Sequence, residues 1–199
     1  MAIIAVVFVI VRFCYNIFVL KVELRLDDWL LLATMLSCLP SAFISVYGLA
    51  ANGLGKDIWV LSATEITNVL FYFYLMAWMY FMEATLVKLT IISFYLRIFP
   101  ARPTRRLLWG TFIFTTLFGL AYIIASLFQC RPIYYFWTKW DGLHDGHCLD
   151  INAVAWSNAA INIALDLWVL AIPLWELRTL QLHWKKKIGV ALMFCVGTL

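Results

Sequence analysis

Five polar side chains stand in stretches of the chain that are otherwise apolar: Glu83, Lys88, Asn158, Asn162 and Asp166. A carboxyl surrounded by hydrocarbon keeps its proton more readily than one in water and can serve as a general acid. A lysine and an aspartate at the same depth can instead form an ion pair. The spacing of four along Asn158, Asn162 and Asp166 puts all three on one face of a helix, and polar groups at such depth face a bundle interior. Two readings follow. Interhelical hydrogen bonding, at about 1 kcal/mol or less per contact, accounts for such residues; a ligand, ion or proton site is the other. Lys88 lies nine residues before Arg97, roughly 14 Å along a helix, and Asp166 ten before Glu176, roughly 15 Å, so the two are nearly level and are the first-choice partners. Glu83 is five positions from Lys88, off the spacing of three or four at which side chains on one helix meet.

Two further groups could carry chemistry. Cys130 and Cys148 lie near the two ends of one loop. A disulfide between them would contribute on the order of 3 kcal/mol in the chain-entropy account and would bring their Cα atoms to about 4.4 to 6.8 Å. His144 and His147 share that loop and raise a metal site as the alternative, though the spacing fits no standard zinc pattern. The remaining cysteines, Cys14, Cys38 and Cys195, sit in apolar surroundings and read as small core residues. The second group is basic: Arg97, Arg102, Arg105 and Arg106, in a turn held extended by Pro100 and Pro103.

The elements that must position these residues are membrane helices. A crossing needs roughly 20 apolar residues, and runs of that kind occupy 29–51, 66–96, 107–128 and 151–175, with shorter ones at 1–20 and 188–199. The fold expected is an all-α polytopic bundle, a single transmembrane domain over 1–199 with six hydrophobic helices, the first and last shortened. Hydrophobic residues make up 65% of the chain and charged ones 13%, about half the share in soluble domains. Mean hydropathy is +0.91. This excludes a water-soluble domain and, with no basic stripe interleaved with exposed aromatics, a nucleic-acid partner. The 1–20 run lacks a basic leader and a cleavage site, so it reads as a retained helix despite Arg12 at its centre. Lys21 and Arg25, then the four arginines, then Arg178 with Lys185, Lys186 and Lys187 place the odd-numbered loops in the cytoplasm and the N-terminus outside, against Lys56, Arg131 and Lys139 in the even ones. Asp27 or Asp28 should cap the 29–51 helix, Gly53-Leu54-Gly55 should end it, and Pro40 and Pro173 should kink their spans.

Motif order adds a family. Leu26-Asp27-Asp28-Trp29, Gly53-Leu54-Gly55-Lys56-Asp57-Ile58-Trp59, Lys88-Leu89-Thr90-Ile91-Ile92-Ser93-Phe94-Tyr95-Leu96-Arg97-Ile98-Phe99-Pro100, Phe128-Gln129-Cys130-Arg131-Pro132 and Cys148-Leu149-Asp150 follow one another as in the fungal rhodopsin-like integral membrane family. Residues 158–173 and Lys187-Ile188-Gly189 continue the match, so the chain resembles that family over almost its whole length. The resemblance implies seven helices, with the C-terminus in the cytoplasm, and hence a chain truncated at both ends. It implies receptor-like sensing or signalling, or a non-catalytic accessory role in secondary metabolism of the satratoxin-cluster type. The alternative is a membrane-embedded, cyclase-like enzyme using Glu83 or Asp166 as general acid on a hydrophobic metabolite. The partners expected are the lipid bilayer, a hydrophobic small molecule and a cytoplasmic protein. No cofactor is expected: Lys88 matches the family's helix motif, not a retinal-bearing lysine of a last helix.

Overall fold

The computed structural model describes residues 26–179, in two compact units divided in sequence between Ile151 and Asn152. The expected spans at 1–20 and 188–199, with Cys14 and Cys195, lie outside the described residues. Within them, four helices are long and apolar enough to cross a membrane: Leu26–Ala50, Ala63–Ile98, Arg102–Leu127 and Ile151–Trp175. Four of the six expected crossings are therefore present as helices among the described residues.

Helix α1 runs Leu26–Phe43 and continues as a wider π-helical turn, Ile44–Ala50. The change of winding begins four residues after Pro40, which has no N–H for the ladder and whose ring presses on the preceding turn. Gly48, within the wide turn, lies against the ring of Tyr72, where a Cβ would stand 2.7 Å from Cδ1. The segment ends at Gly53 and Gly55, both at φ 93°, a backbone region open to glycine and strained for other residues.

Helix α2, Ala63–Ile98, has 36 residues and is about 54 Å long, well beyond a hydrocarbon core of about 30 Å. It starts three residues before the expected Ile66 because Ser62 and Glu65 form a capping box. The Ser62 hydroxyl accepts from the Glu65 N–H at 3.4 Å, and the Glu65 carboxylate accepts from the Ser62 N–H at 2.7 Å. It ends before Phe99 and Pro100. Helix α3, Arg102–Leu127, then begins at once, with Pro103 in its first turn.

Helices α2 and α3 pack on each other through small and hydroxyl residues. The buried positions of α3 are Thr104, Leu108, Thr111, Thr115, Gly119 and Ser126, one helical face, while Ile113, Leu117, Leu120 and Ile124 are exposed. Lipid is as apolar as leucine, so apolar side chains gain nothing by turning inward, and close backbone approach decides which face is buried. Gly119 abuts the side chain of Thr85 on α2.

Beyond α3 the chain forms a small ladder of β1, Cys130–Arg131, with β2, His147–Cys148, antiparallel and in register Cys130 to Cys148. Between the strands lie a single helical turn, α4, Tyr135–Thr138, and a tighter turn, Lys139–Asp141. This loop sits on the end of α2. Tyr74 is buried with Cys130 and Phe136, its hydroxyl donates to the Leu127 carbonyl at 2.9 Å, and Trp137 meets Phe71 edge-on at 5.2 Å. Trp140 Nε1 donates to Thr67 Oγ1 at 3.1 Å. The second unit is described by a single helix, α5, Ile151–Thr179, with Pro173 inside it.

Candidate functional site

The Arg-rich end of the first unit is the most built of the candidate regions. Arg97, in the last turn of α2, donates through Nη1 to the Asp27 carboxylate at 3.2 Å. This ion pair ties α2 to the first turn of α1 across 70 positions of sequence. Asp27 and Asp28 are both buried, and Asp27 reaches across to α2 where the sequence suggested a local cap. The arginine also suits the carbonyl end of its own helix, whose partial negative charge favours a cation.

The basic segment departs from expectation in form. Pro103 does not hold it extended. Proline's preset φ and missing N–H fit the first turn of a helix, where the N–H would have no partner, so Arg102, Arg105 and Arg106 stand on the opening turns of α3. At spacings of three and four they share one exposed face with Trp109 and Ile113. Among the described residues none of the three makes an ion pair. A cavity of about 190 Å³ lies between Arg97 and Arg105, lined also by Leu26, Ser93, Trp109 and Phe112. The Ser93 hydroxyl is buried there without a hydrogen-bond partner among the described residues. A shallower groove of about 550 Å³ runs on from it past Arg102, Arg105, Arg106, Trp109, Gly110 and Ile113.

The intramembrane polar residues fall into two sets. Glu83 and Lys88 are on α2 in the first unit. Lys88 is buried, and Glu83 Oε1 is buried with no hydrogen-bond partner among the described residues. Asn158, Asn162 and Asp166 are on α5 in the second, where the Asn162 amide donates to the Asn158 side-chain oxygen at 2.9 Å and to its carbonyl at 3.0 Å. The spacing of four thus produces a real contact along α5.

At the opposite end of α2, Cys130 and Cys148 are joined as a disulfide with Cα atoms 4.0 Å apart. That is shorter than the 4.4 to 6.8 Å expected; the two residues face each other directly across the β1–β2 ladder. In the same loop His144 faces Asp141, Nδ1 to Oδ2 at 3.1 Å. The Asp141 carboxyl is held below its ordinary value chiefly by the Leu143 N–H it accepts from, against the opposing effect of desolvation, with smaller lowering contributions from the hydrogen bond and charge of His144. Cys38 is exposed on α1, facing outward and not into a core.

The residues that sequence reasoning passed over are Asp27 as the partner of Arg97, Ser93, and the Thr111, Thr115 and Gly119 face. Ser62-Ala63-Thr64-Glu65 carried a readable capping-box signal. The small-residue spacing of 111, 115 and 119 was legible too. Nothing in the sequence singles out Asp27 over Asp28.

A fungal rhodopsin domain matches residues 11–199 of the chain. The chain belongs to this family. Among similar proteins is a "Satratoxin biosynthesis SC1 cluster protein 4" of Stachybotrys chartarum, 29% identical over 59% of this chain and 44% of that protein. A "SAT4 family membrane protein" of Emericella nidulans is 33% identical over 55% and 29% of the two chains. A "Polyenoic acids biosynthesis gene cluster protein Ba17b" of Metarhizium anisopliae is 25% identical over 86% and 47%. The chain spans less than half the length of each of these relatives. No solved structure matches it. Family and helices together make it an integral membrane protein in a lipid bilayer.

Proposed function

We propose that this chain is the membrane-embedded part of a receptor-like or accessory protein of fungal secondary metabolism, one that binds a hydrophobic metabolite without transforming it. The observation that carries this reading is the Arg97–Asp27 ion pair, 3.2 Å long, which links the ends of two membrane helices. A contact between one side chain on each helix is made or broken as a unit, the kind of two-state element a ligand can bias. The Arg-rich end is taken as cytoplasmic by its charge, where a soluble partner would meet it. Relatives named for biosynthesis clusters support the metabolic setting.

Glu83 favours the second reading. A carboxyl oxygen buried without a hydrogen-bond partner among the described residues is available to a ligand, or as the acid of a cyclisation. Membranes containing the chain, incubated with the hydrophobic products and precursors of its own gene neighbourhood, separate the two. Expected are a rise in melting temperature with one such metabolite, no change in that metabolite by mass spectrometry, and loss of the rise in Asp27→Asn. Turnover that stops in Glu83→Gln would overturn the non-catalytic reading in favour of the enzyme. Equal depth in the sequence alone supports pairing Lys88 with Asp166, and a double-mutant cycle on Lys88→Met and Asp166→Leu tests it: additive losses would dismiss the pair.

A further inference from the structure

We infer that the groove at the start of α3 is a binding site for an anionic phospholipid, its phosphate held by Arg102, Arg105 and Arg106 and its acyl chain laid along Trp109, Gly110 and Ile113. Three guanidinium groups share one face within five residues, and among the described residues none has a carboxylate to offset it. Their mutual repulsion is relieved by an anion, and guanidinium forks match phosphate oxygens two at a time. Asp27, the acidic group that lines the adjoining cavity, is already engaged by Arg97 at 3.2 Å. The site therefore presents an excess of positive charge.

Two features point to a lipid headgroup and not to a free ion. The first is shape. The groove continues from arginines to apolar side chains as a phospholipid does from headgroup to tail. The second is depth. Arg105 and Arg106 stand at the end of a membrane-length helix, with exposed Trp109 one turn further in, the level at which headgroups and amphipathic rings meet. The adjoining cavity of about 190 Å³ adds a donor. Ser93 is 8% exposed, its hydroxyl has no partner among the described residues, and it lines the space between Arg97 and Arg105. It can complete the hydrogen bonding of a phosphate that enters there.

The test is native mass spectrometry of the full chain in detergent, titrated with phosphatidic acid or with phosphatidylcholine of the same acyl chains, and separately with phosphatidic acid in the presence of millimolar inorganic phosphate. Expected are preferential retention of phosphatidic acid, little displacement by inorganic phosphate, and a loss of affinity on the order of 100-fold in the triple variant R102Q/R105Q/R106Q, at roughly fivefold per arginine. The triple lysine variant, which keeps the charge and loses the paired hydrogen bonds, should bind more weakly than the parent and more tightly than the glutamine variant, and Ser93→Ala should lose a few-fold. Where the triple glutamine variant shows an altered size-exclusion profile, R105Q alone, expected about fivefold weaker, replaces it. Equal retention of the two lipids, unchanged binding in the glutamine variants, or full displacement by inorganic phosphate would each overturn the lipid assignment. Micelles have no sidedness, so the result is independent of the orientation and of the signalling reading.

Discussion

Asp27 shows how one side chain can depend on a residue far along the chain. Its carboxylate side chain is 4% exposed, while the Arg97 side chain that meets it is 35% exposed. The two partners are therefore not equivalent in loss. Arg97→Gln takes the guanidinium from a buried carboxylate, whereas Asp27→Asn leaves an arginine that can turn toward water or headgroups. Arg97→Gln should lower stability in detergent by about 2–3 kcal/mol and Asp27→Asn by less, with the double variant recovering part of the larger loss. Equal single losses that simply add would show that the pair is not coupled. Asp141 makes a second residue-scale case. Its carboxyl titrates below the ordinary 3.8, chiefly because it accepts from the Leu143 N–H. A lowered folded value means that the stabilisation is complete above the unfolded value and is lost as pH falls below 3.8 through the folded one. Amide protection at Leu143, taken relative to the intrinsic exchange rate at each pH, should fall across that acid window in the parent chain and not in Asp141→Asn. The sequence revealed which polar residues were out of place in a membrane, because composition alone makes Glu83, Lys88 and Asp166 costly there. It did not reveal Asp27 with Arg97, because a partner 70 positions away is chosen by how two helices meet.

Helices α2 and α3 were legible in their middles and not at their ends. Hydropathy counts residues that can lie in lipid, but the ends are decided by hydrogen bonds. Ser62 with Glu65 starts α2 earlier than its apolar run, and Pro103 starts α3 within a segment that reads as a turn. The buried face was harder still, since the usual rule of apolar residues inside is inverted in lipid. What marks it is size: Thr111, Thr115 and Gly119 let the backbones approach, and Gly119 lies directly against Thr85. Adding one methyl at Gly119 would place a Cβ 2.9 Å from the Thr85 Cβ and closer still to its branches, a separation real Cβ atoms do not show. Gly119→Ala should therefore cost about 1–3 kcal/mol through forced separation of the helices. Thr85→Ala in the same chain should return part of that, since it removes the two nearest atoms. A neutral Gly119→Ala by thermal unfolding in detergent would mean that the helices do not pack at this point.

At the scale of the whole molecule, the two ends of α2 differ in kind. One carries an oxidised loop, with Cys130 and Cys148 joined and the aromatic cluster on Tyr74 beneath them; the other carries Arg97 and the three arginines of α3. Disulfides persist in oxidising compartments and arginines accumulate on the cytoplasmic side, so two unrelated physical causes favour the orientation proposed above, with the loop outside and the arginines inside. The charge count was available from sequence. The covalent bond adds to it a constraint of a different origin, because a cystine cannot simply be carried to the reducing side without being lost. An N-glycosylation acceptor inserted within 141–146 should accordingly be modified when the chain is made in cells, since this stretch is an exposed turn between α4 and β2. An acceptor inserted at Ala101, between the two helices, should stay unmodified. Modification at the second position and not the first would reverse the chain in the membrane and place the arginine groove in the outer leaflet. Modification at neither would leave the disulfide as the deciding test, because Cys130 and Cys148 should then resist a membrane-impermeant maleimide until a reductant is added to the outside of intact cells.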